Sequence, residues 1–427
     1  MFESQLIRSY LSSDHGNFLK ALSGIFEIVI VTNRELYDSI KFEVARCSID
    51  NHISVIIVPL FEESRLTRLV GSFLRWSDSS PTTTLKIHWS LQGTTFPMVR
   101  LVLRILLNRI FSSSNSATRL MRGLYLKSFR HSAVGEIMHL LDVENHDVLY
   151  ITSLTNYWED CLIGVSFRLN GNKIIASIRS WDNLVSHGRL RLVPDLFISH
   201  SEFVRHCAEE IQFIPSNIIV DGVTPTYQSI FLPMQKEKSV SKRRIIYASM
   251  GLTTNPDDFN FCLRLIRLCH ELNDYLTLTI LEHPKFPLGI DPASLPINTD
   301  ILSFPYETSN IRDYYQILLN SDLILCGGTT AALDSCFVGA NVALIAYEVV
   351  KQPYWQSALR YFDTRVHTKQ FFELSNLHRV YNEDELMLLL RNEIATKSYR
   401  ESVVEYFTGD KTKSFSNILI NALEEIN

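Results

Sequence analysis

Glycine is scarce in this 427-residue chain, at 16 residues, and no two glycines stand two positions apart. The G-x-G-x-x-G turn that brings a pyrophosphate onto a helix start is therefore absent, as is G-x-x-x-x-G-K-[ST]. These absences remove ordinary nicotinamide dehydrogenases and P-loop nucleotidases. The seven cysteines are odd in number and never form Cys-x-x-Cys, so neither a disulfide framework nor a zinc ribbon is indicated. No Asp-x-Asp triplet offers a metal site. No apolar run reaches the roughly 18 to 20 residues of a spanning helix, and residues 1–5 do not open a basic-then-apolar leader, so a cytoplasmic protein is expected. An excess of positive charge is also missing. Lys plus Arg total 41 against 46 Asp plus Glu, which disfavours sequence-independent nucleic-acid binding. Residues 1–225 carry 22 basic and 22 acidic side chains and residues 226–427 carry 19 and 24, so the net charge of −5 lies in the second half.

With 46% apolar residues the chain can bury two ordinary cores. Short β-branched runs alternate with helical patterns, the rhythm of an α/β protein with mostly parallel sheets. Strands are expected in the first half near 6–11, 27–31, 53–58, 84–89, 148–152, 173–178, 195–199 and 218–220. In the second half they are expected at 244–249, 276–281, 323–326 and 342–346, with helices near 256–272, around 310–319, from 331, and at 416–426. Pro225, Pro233 and the polar run 236–244 mark a linker. The domain reading is 1–225, a linker at 226–242, 243–395, and C-terminal helices at 396–427 packing back on the first domain. Ligands of doubly wound sheets bind beyond the carboxyl ends of strands, so a cleft between two facing halves is the expected place for chemistry.

Four loops follow strands and carry chemically useful side chains. Ser180-Trp181-Asp182-Asn183-Leu184 offers a proton acceptor and an amide, or else an Asx turn beside a core tryptophan. In Glu282-His283-Pro284 the proline restricts His283 to an extended backbone, which would aim its imidazole out of the strand end toward phosphate; a plain turn is the other reading. Cys326-Gly327-Gly328-Thr329-Thr330-Ala331-Ala332-Leu333-Asp334 reads as strand, tight turn and helix, where free N–H groups and two hydroxyls would hold an anion, or where a threonine simply caps. Asp14-His15-Gly16 supplies two groups able to act as a base, in a loop of ordinary turn composition. A fifth feature is the stretch from 79 to 135, which has no acidic residue but eight Lys or Arg. Within 99–111 its apolar residues repeat at helical spacing, consistent with an anionic membrane surface, an amphipathic surface helix or a phosphate-bearing acceptor.

Together these motifs resemble the GT-B superfamily of glycosyltransferases, in particular bacterial surface-polysaccharide enzymes of the capsule and O-antigen kind. The stretch 174–222 is similar to the end of their N-terminal acceptor domain, and 321–345 to their nucleotide-binding domain. The resemblance implies two Rossmann-like doubly wound domains facing across a cleft. His283-Pro284 and Thr329-Thr330 match the His-Pro and Ser/Thr pairs that contact the nucleotide and its phosphate in relatives using cytidine-nucleotide donors. Asp334 stands where many relatives carry Glu, and Leu281 where Arg or Lys often precedes His-Pro. The implied base is Asp14 or Asp182, with His15 beside it. The substrate-binding set is Trp181, Asn183, His283, Pro284, Gly327, Gly328, Thr329, Thr330, Asp334 and Glu348.

The resemblance thus implies a metal-independent, inverting glycosyltransferase that moves a sugar from a nucleotide-activated donor to a glycan or lipid-linked acceptor, with no cofactor. Peripheral contact with the inner face of an anionic membrane is a further expectation. A CDP-glycerol-type phosphotransferase, a nucleotide-sugar 2-epimerase and a non-catalytic GT-B-like interaction protein are the alternatives. A general base contributes about 10² to 10⁴ in rate, so Asp14→Asn or Asp182→Asn is expected to cut turnover on that scale. Near-wild-type turnover in both variants would remove the base assignment.

Overall fold

The structure is a computed structural model that describes residues 16–46, 52–78, 80–82, 85, 99, 102, 106, 114–144, 147–152, 154, 158–178, 180–223, 235–237, 242–252, 255–272, 274–283, 286–303, 311–352, 357–394, 396, 399–410 and 413–426. The chain divides into two units, Met1–Ser229 with Tyr406–Asn427, and Ile230–Glu405.

The first unit begins α1 (Gly16–Ser23), β1 (Ile28–Thr32), α2 (Arg34–Arg46), β2 (Ile53–Ile57), α3 (Arg65–Trp76), α4 (Asn115–Lys127) and α5 (His131–Leu141). It continues β3 (Val148–Ile151), α6 (Trp158–Leu169), β4 (Lys173–Ala176), α7 (Asn183–Ser186), β5 (Leu196–Ser199), α8 (Glu202–Glu210) and β6 (Ile219–Asp221). Strands β1 and β2 pair in parallel, and β3-β4-β5-β6 form a parallel sheet in that order. Strand β5, Leu-Phe-Ile-Ser, is buried at every residue, as a parallel strand covered on both faces must be. Helices start where hydroxyls stop the chain from bonding to itself: Ser64 Oγ accepts from Thr67 N at 3.1 Å to open α3, and Ser201 Oγ accepts from Val204 N at 3.2 Å to open α8.

The second unit runs β7 (Arg243–Ala248), α9 (Asp258–Glu271), β8 (Leu276–Glu282), β9 (Thr299–Ser303), α10 (Ile311–Asn320), β10 (Leu323–Cys326) and α11 (Thr330–Phe337). Then come β11 (Val342–Ile345), α12 (Arg360–Thr364), α13 (Val366–Ser375), β12 (His378–Val380) and α14 (Glu383–Leu390). Its six strands are all parallel, in the order β9-β8-β7-β10-β11-β12, which is the Rossmann order with its reversal between β7 and β10. Ile245, Leu278, Leu323, Phe261 and Leu265 belong to its core. Helix α15 (Glu401–Thr408) leads to α16 (Phe415–Ile426), where Phe415 returns to the first unit with its ring 6.0 Å from that of Tyr150 on β3.

One device ties neighbouring strands in the two larger sheets. Just before β5, Asp195 N donates to Ile174 O and its carboxylate accepts from Ile174 N, both at 2.8 Å. Just before β10, Asp322 does the same to Arg244 O and N, again at 2.8 Å. Each aspartate closes a two-bond ring onto the neighbouring strand, so a slip would leave a carboxylate and an amide unpaired.

The regular strands of the second unit lie within one or two residues of their expected places, while β9 and β12 were not expected, because neither is an apolar β-branched run. The expectation at 6–11 lies outside the described residues. Of 84–89 only Leu85 is described, and it is helical, which corrects a strand there. Within 99–111, Val99, Val102 and Leu106 are described; they are helical and solvent-exposed. Among the described residues no helix is long and apolar enough to cross a membrane. The six described cysteines are buried and unpaired.

Gly409, with φ +89°, carries the chain past β5 toward α16, and a Cβ there would stand 1.8 Å from His200 O. Backbone cannot yield as a side-chain tip can. Gly409→Ala is expected to cost about 3 kcal/mol or more of stability, read as a lowered urea midpoint. An unchanged midpoint would mean that this close approach is not a constraint.

Candidate functional site

A doubly wound sheet opens a crevice where strand order reverses, because the connections on either side leave in opposite directions. In the second unit this point lies between the carboxyl ends of β7 and β10. Two chain segments meet there. After β7 come Ser249, Met250 and Gly251; after β10 come Gly327, Gly328 and Thr329. They touch closely, since a Cβ on Gly327 would stand 2.2 Å from Met250 Sδ. On the far side of Met250, Gly251 adopts φ +78°, and a Cβ there would lie 3.1 Å from His283 Cβ and 2.8 Å from Phe286 Cβ. The loops after β8, β7 and β10 thus stand side by side, in the order His283, Gly251, Met250, Gly327.

The start of α9 holds two of the loops at this edge. Asp258 is fully buried; its carboxylate accepts from Tyr247 Oη, from Ser249 Oγ at 2.5 Å and from Gly251 N at 2.9 Å. Burial pushes this carboxyl up and the hydrogen bonds pull it back, while the same burial and the neighbouring carboxylate raise the Tyr247 phenol well above its usual range. The adjacent Asp257 accepts from Val349 N at 2.7 Å and Val350 N at 3.0 Å, fixing the loop after β11. Burial raises its carboxyl as well, against the hydrogen bonds from Asn260 and the two amides. The sequence reading did not single out either aspartate. The signal was Asn255-Pro256-Asp257-Asp258, an ordinary helix start that does not announce what the carboxylates hold.

Between these loops lies a narrow recess of about 20 Å³, open to solvent and lined by Tyr247, Met250, Asp257, Gly327, Tyr347 and Glu348 among others. Glu348 uses Oε2 to accept from Gln352 N at 3.0 Å, while its buried Oε1 has no partner. The Tyr347 hydroxyl is likewise buried without one; its ring packs edge-on against Phe261 at 5.7 Å. At the start of α11, Thr329 N bonds back to Gly327 O at 2.8 Å, and Thr329 is the N-cap residue yet makes no side-chain cap bond. Its Oγ1 is buried and unpartnered. The edge therefore presents hydroxyl and amide donors at one end and a carboxylate acceptor in the recess. Unsatisfied buried groups of this kind are costly unless a ligand completes them.

The expected residues divide between the two units. His283, Gly327, Gly328, Thr329 and Glu348 lie at this edge, with Thr330 exposed on the first turn of α11. His283 stacks on Phe286 at 5.2 Å and 29°, and Pro284 lies outside the described residues. Glu282 turns back to hold its own loop, accepting from Leu288 N at 2.9 Å and Ser303 Oγ at 2.7 Å. In the first unit Asp182 is half-buried and accepts from Ser186 Oγ at 2.9 Å, and Asn183 is buried at the start of α7. Asp14 and His15 lie outside the described residues. Two expectations need correction. Trp181 is a core side chain, 1% exposed, packed 5.3 Å from Phe407 and 6.0 Å from Phe203, so it has no surface to offer a substrate. Asp334 is enclosed beneath α10, accepting from Tyr314 Oη and Tyr315 Oη, each at 3.3 Å, which makes it a structural group. Among the described residues no three His, Cys, Asp or Glu side chains gather to hold a metal ion.

Burial is the main influence on Asp334 and pushes its carboxyl up to about 7 from an ordinary 3.8, with the two hydroxyls pulling the other way. The folded chain then holds a proton that the unfolded chain has released. Stability from this group is full below about pH 4 and is lost as pH rises through about 7. Asp334→Asn keeps an acceptor and cannot ionise, so it is expected to melt close to wild type at pH 5 and to be more stable at pH 8 by about 1–3 kcal/mol. Parallel melting curves at the two pH values decide it, and an equal pH response in both proteins would contradict the buried carboxyl.

No family model matches the chain, and no curated protein is similar to it by sequence. Among solved structures, S. aureus MnaA in its co-structure with UDP is similar with a TM-score of 0.51 and 11% identity, over 99% of this chain and 94% of that one. A Listeria monocytogenes protein assigned as a UDP-N-acetylglucosamine 2-epimerase is similar with a TM-score of 0.50 and 11% identity, over the same shares. At that identity the likeness is one of architecture: the chain has the GT-B fold, built from two Rossmann-like domains.

Proposed function

We propose that the second unit binds the diphosphate and ribose of a nucleotide-activated sugar, and that the chain transfers the sugar to a glycan or lipid-linked acceptor without a metal ion. The observation that carries this reading is the pair of unpartnered buried oxygens at one strand edge, Thr329 Oγ1 beside a helix start and Glu348 Oε1 in the adjoining recess. A phosphate accepts from amides and a threonine hydroxyl at a helix N-terminus, while ribose hydroxyls donate to a carboxylate. The departing diphosphate is then stabilised by fixed dipoles in place of a cation. Asp182 or Asp14, in the first unit, takes the acceptor proton. The likeness to a protein assigned as a 2-epimerase and to one solved with UDP supports a second reading, isomerisation of a UDP-sugar on the same nucleotide site.

One series of measurements separates these readings. Melting curves with CMP, CDP, UDP, GDP and dTDP are expected to show selective stabilisation by one nucleotide, since a ligand of the folded state raises its apparent stability. Thr329→Val, which removes the hydroxyl at constant shape, is expected to weaken that nucleotide about tenfold, the cost of one hydrogen bond to a charged group. With the matching nucleotide-sugar, transfer that needs an acceptor and survives excess EDTA supports the transferase. Isomerised donor with no acceptor present supports the epimerase. A flat response to all five nucleotides would sink both and favour a non-catalytic interaction protein.

A further inference from the structure

A single exposed leucine on a protein surface needs no explanation, but leucines gathered on paired helices do. In the first unit, Leu66 and Leu69 on α3 are 58% and 50% exposed, and Leu120 and Leu124 on α4 are 63% and 45% exposed. The two helices pack antiparallel. Thr67 Oγ1 donates to Ser128 O, just past the end of α4, at 2.9 Å, and one turn further along α3 a Cβ on Gly71 would stand 3.1 Å from Tyr125 Cε2. Antiparallel helices are related by a two-fold axis between them, so the residue before a seam position turns to the same side in both. Leu66 precedes Thr67 and Leu124 precedes Tyr125, which sets these two leucines on one side of the seam. Leu69 and Leu120 lie about one turn along their helices from them.

The same two helices contain no acidic residue, and Arg65, Arg68, Arg75, Arg119 and Lys127 are exposed on them. Among the described residues, Arg68 is the one of these five with a carboxylate in ion-pair range, Glu63 at 3.4 Å. Between α3 and α4 the chain continues without an acid, from 79 to 135. That stretch includes Val99, Val102 and Leu106, which are helical, exposed and spaced three and four apart, as residues of one helix face are. The surface is therefore aliphatic and cationic, with few carboxylates to neutralise it.

Such a surface is complementary to one that has anionic groups outside and hydrocarbon beneath. Leucines enter the boundary of the acyl chains, while guanidinium and ammonium groups stay with the phosphates. A second copy of the chain would set two cationic faces against each other. Nucleic acid would take the charges and leave the leucines without an apolar partner. We propose that the side of α3 and α4 carrying Leu66, Leu69, Leu120 and Leu124 docks the chain onto an anionic lipid bilayer. The docking face belongs to the first unit and is independent of nucleotide binding in the second.

The test sediments the full chain with vesicles of phosphatidylcholine alone and of phosphatidylcholine mixed with phosphatidylglycerol. Wild type is expected to pellet with the mixed vesicles at low salt, less with phosphatidylcholine alone, and less as added salt screens the headgroups. Leu66→Asp combined with Leu124→Asp puts acids where aliphatic contacts were, so partitioning is expected to fall about tenfold or more. Its melting temperature and nucleotide response are expected to match wild type, because both side chains face solvent. If that double variant does not fold, Leu120→Gln decides, with an expected loss of about threefold or more. No sedimentation of wild type at low salt overturns the proposal, and so does sedimentation that these leucine variants leave unchanged. A concentration-dependent dimer, seen by light scattering and dissolved by Leu66→Asp with Leu124→Asp, would overturn it in favour of a second copy on this face.

Discussion

The site in the second unit depends on two consecutive carboxylates at the start of α9. Asp258 gathers the hydroxyls of Tyr247 and Ser249 and the amide of Gly251, and Asp257 gathers two amides beyond β11. A helix N-terminus favours negative charge, so one turn of backbone supports both carboxylates while they hold two loops. Without them the chain leaving β7 and the chain leaving β11 would have no reason to keep their shapes. The recess between those loops is thus a consequence of α9, an element that itself offers a ligand little beyond Asp257.

The polarity of the site follows from the same economy of partners. Glu282 spends its carboxylate on its own loop and on Ser303, and Asp334 spends its own on two tyrosines. What is left without partners is a threonine hydroxyl, a tyrosine hydroxyl and one carboxylate oxygen. This separation of donors from an acceptor along one strand edge is what a ligand with an anionic end and a hydroxylated end requires. Close approach at this edge is made at Gly327 and Gly251.

Much of this was legible in the sequence. Apolar β-branched runs placed β3 to β8, β10 and β11, since a parallel strand buried on both faces must be apolar throughout. The strand, turn and helix at Cys326–Asp334 were recognisable from the paired glycines and threonines. Edge strands β9 and β12 were not, because a strand with one exposed side need not look like one. The roles of Trp181 and Asp334 were misread for a related reason: sequence gives a residue's place along the chain, whereas the direction of its side chain is decided by packing partners far away, Phe407 in one case and Tyr314 and Tyr315 in the other.

The aspartates that precede β5 and β10 have a consequence for how such a chain comes to its structure. Each aspartate ties its strand to the adjacent one through one carboxylate oxygen and its own backbone amide, within its own sheet. Strand pairing is therefore settled twice, locally and independently. A fault in one lock leaves the bonds of the other in place. A chain built this way can diverge on one side of such a lock while the pairing on the other side is kept.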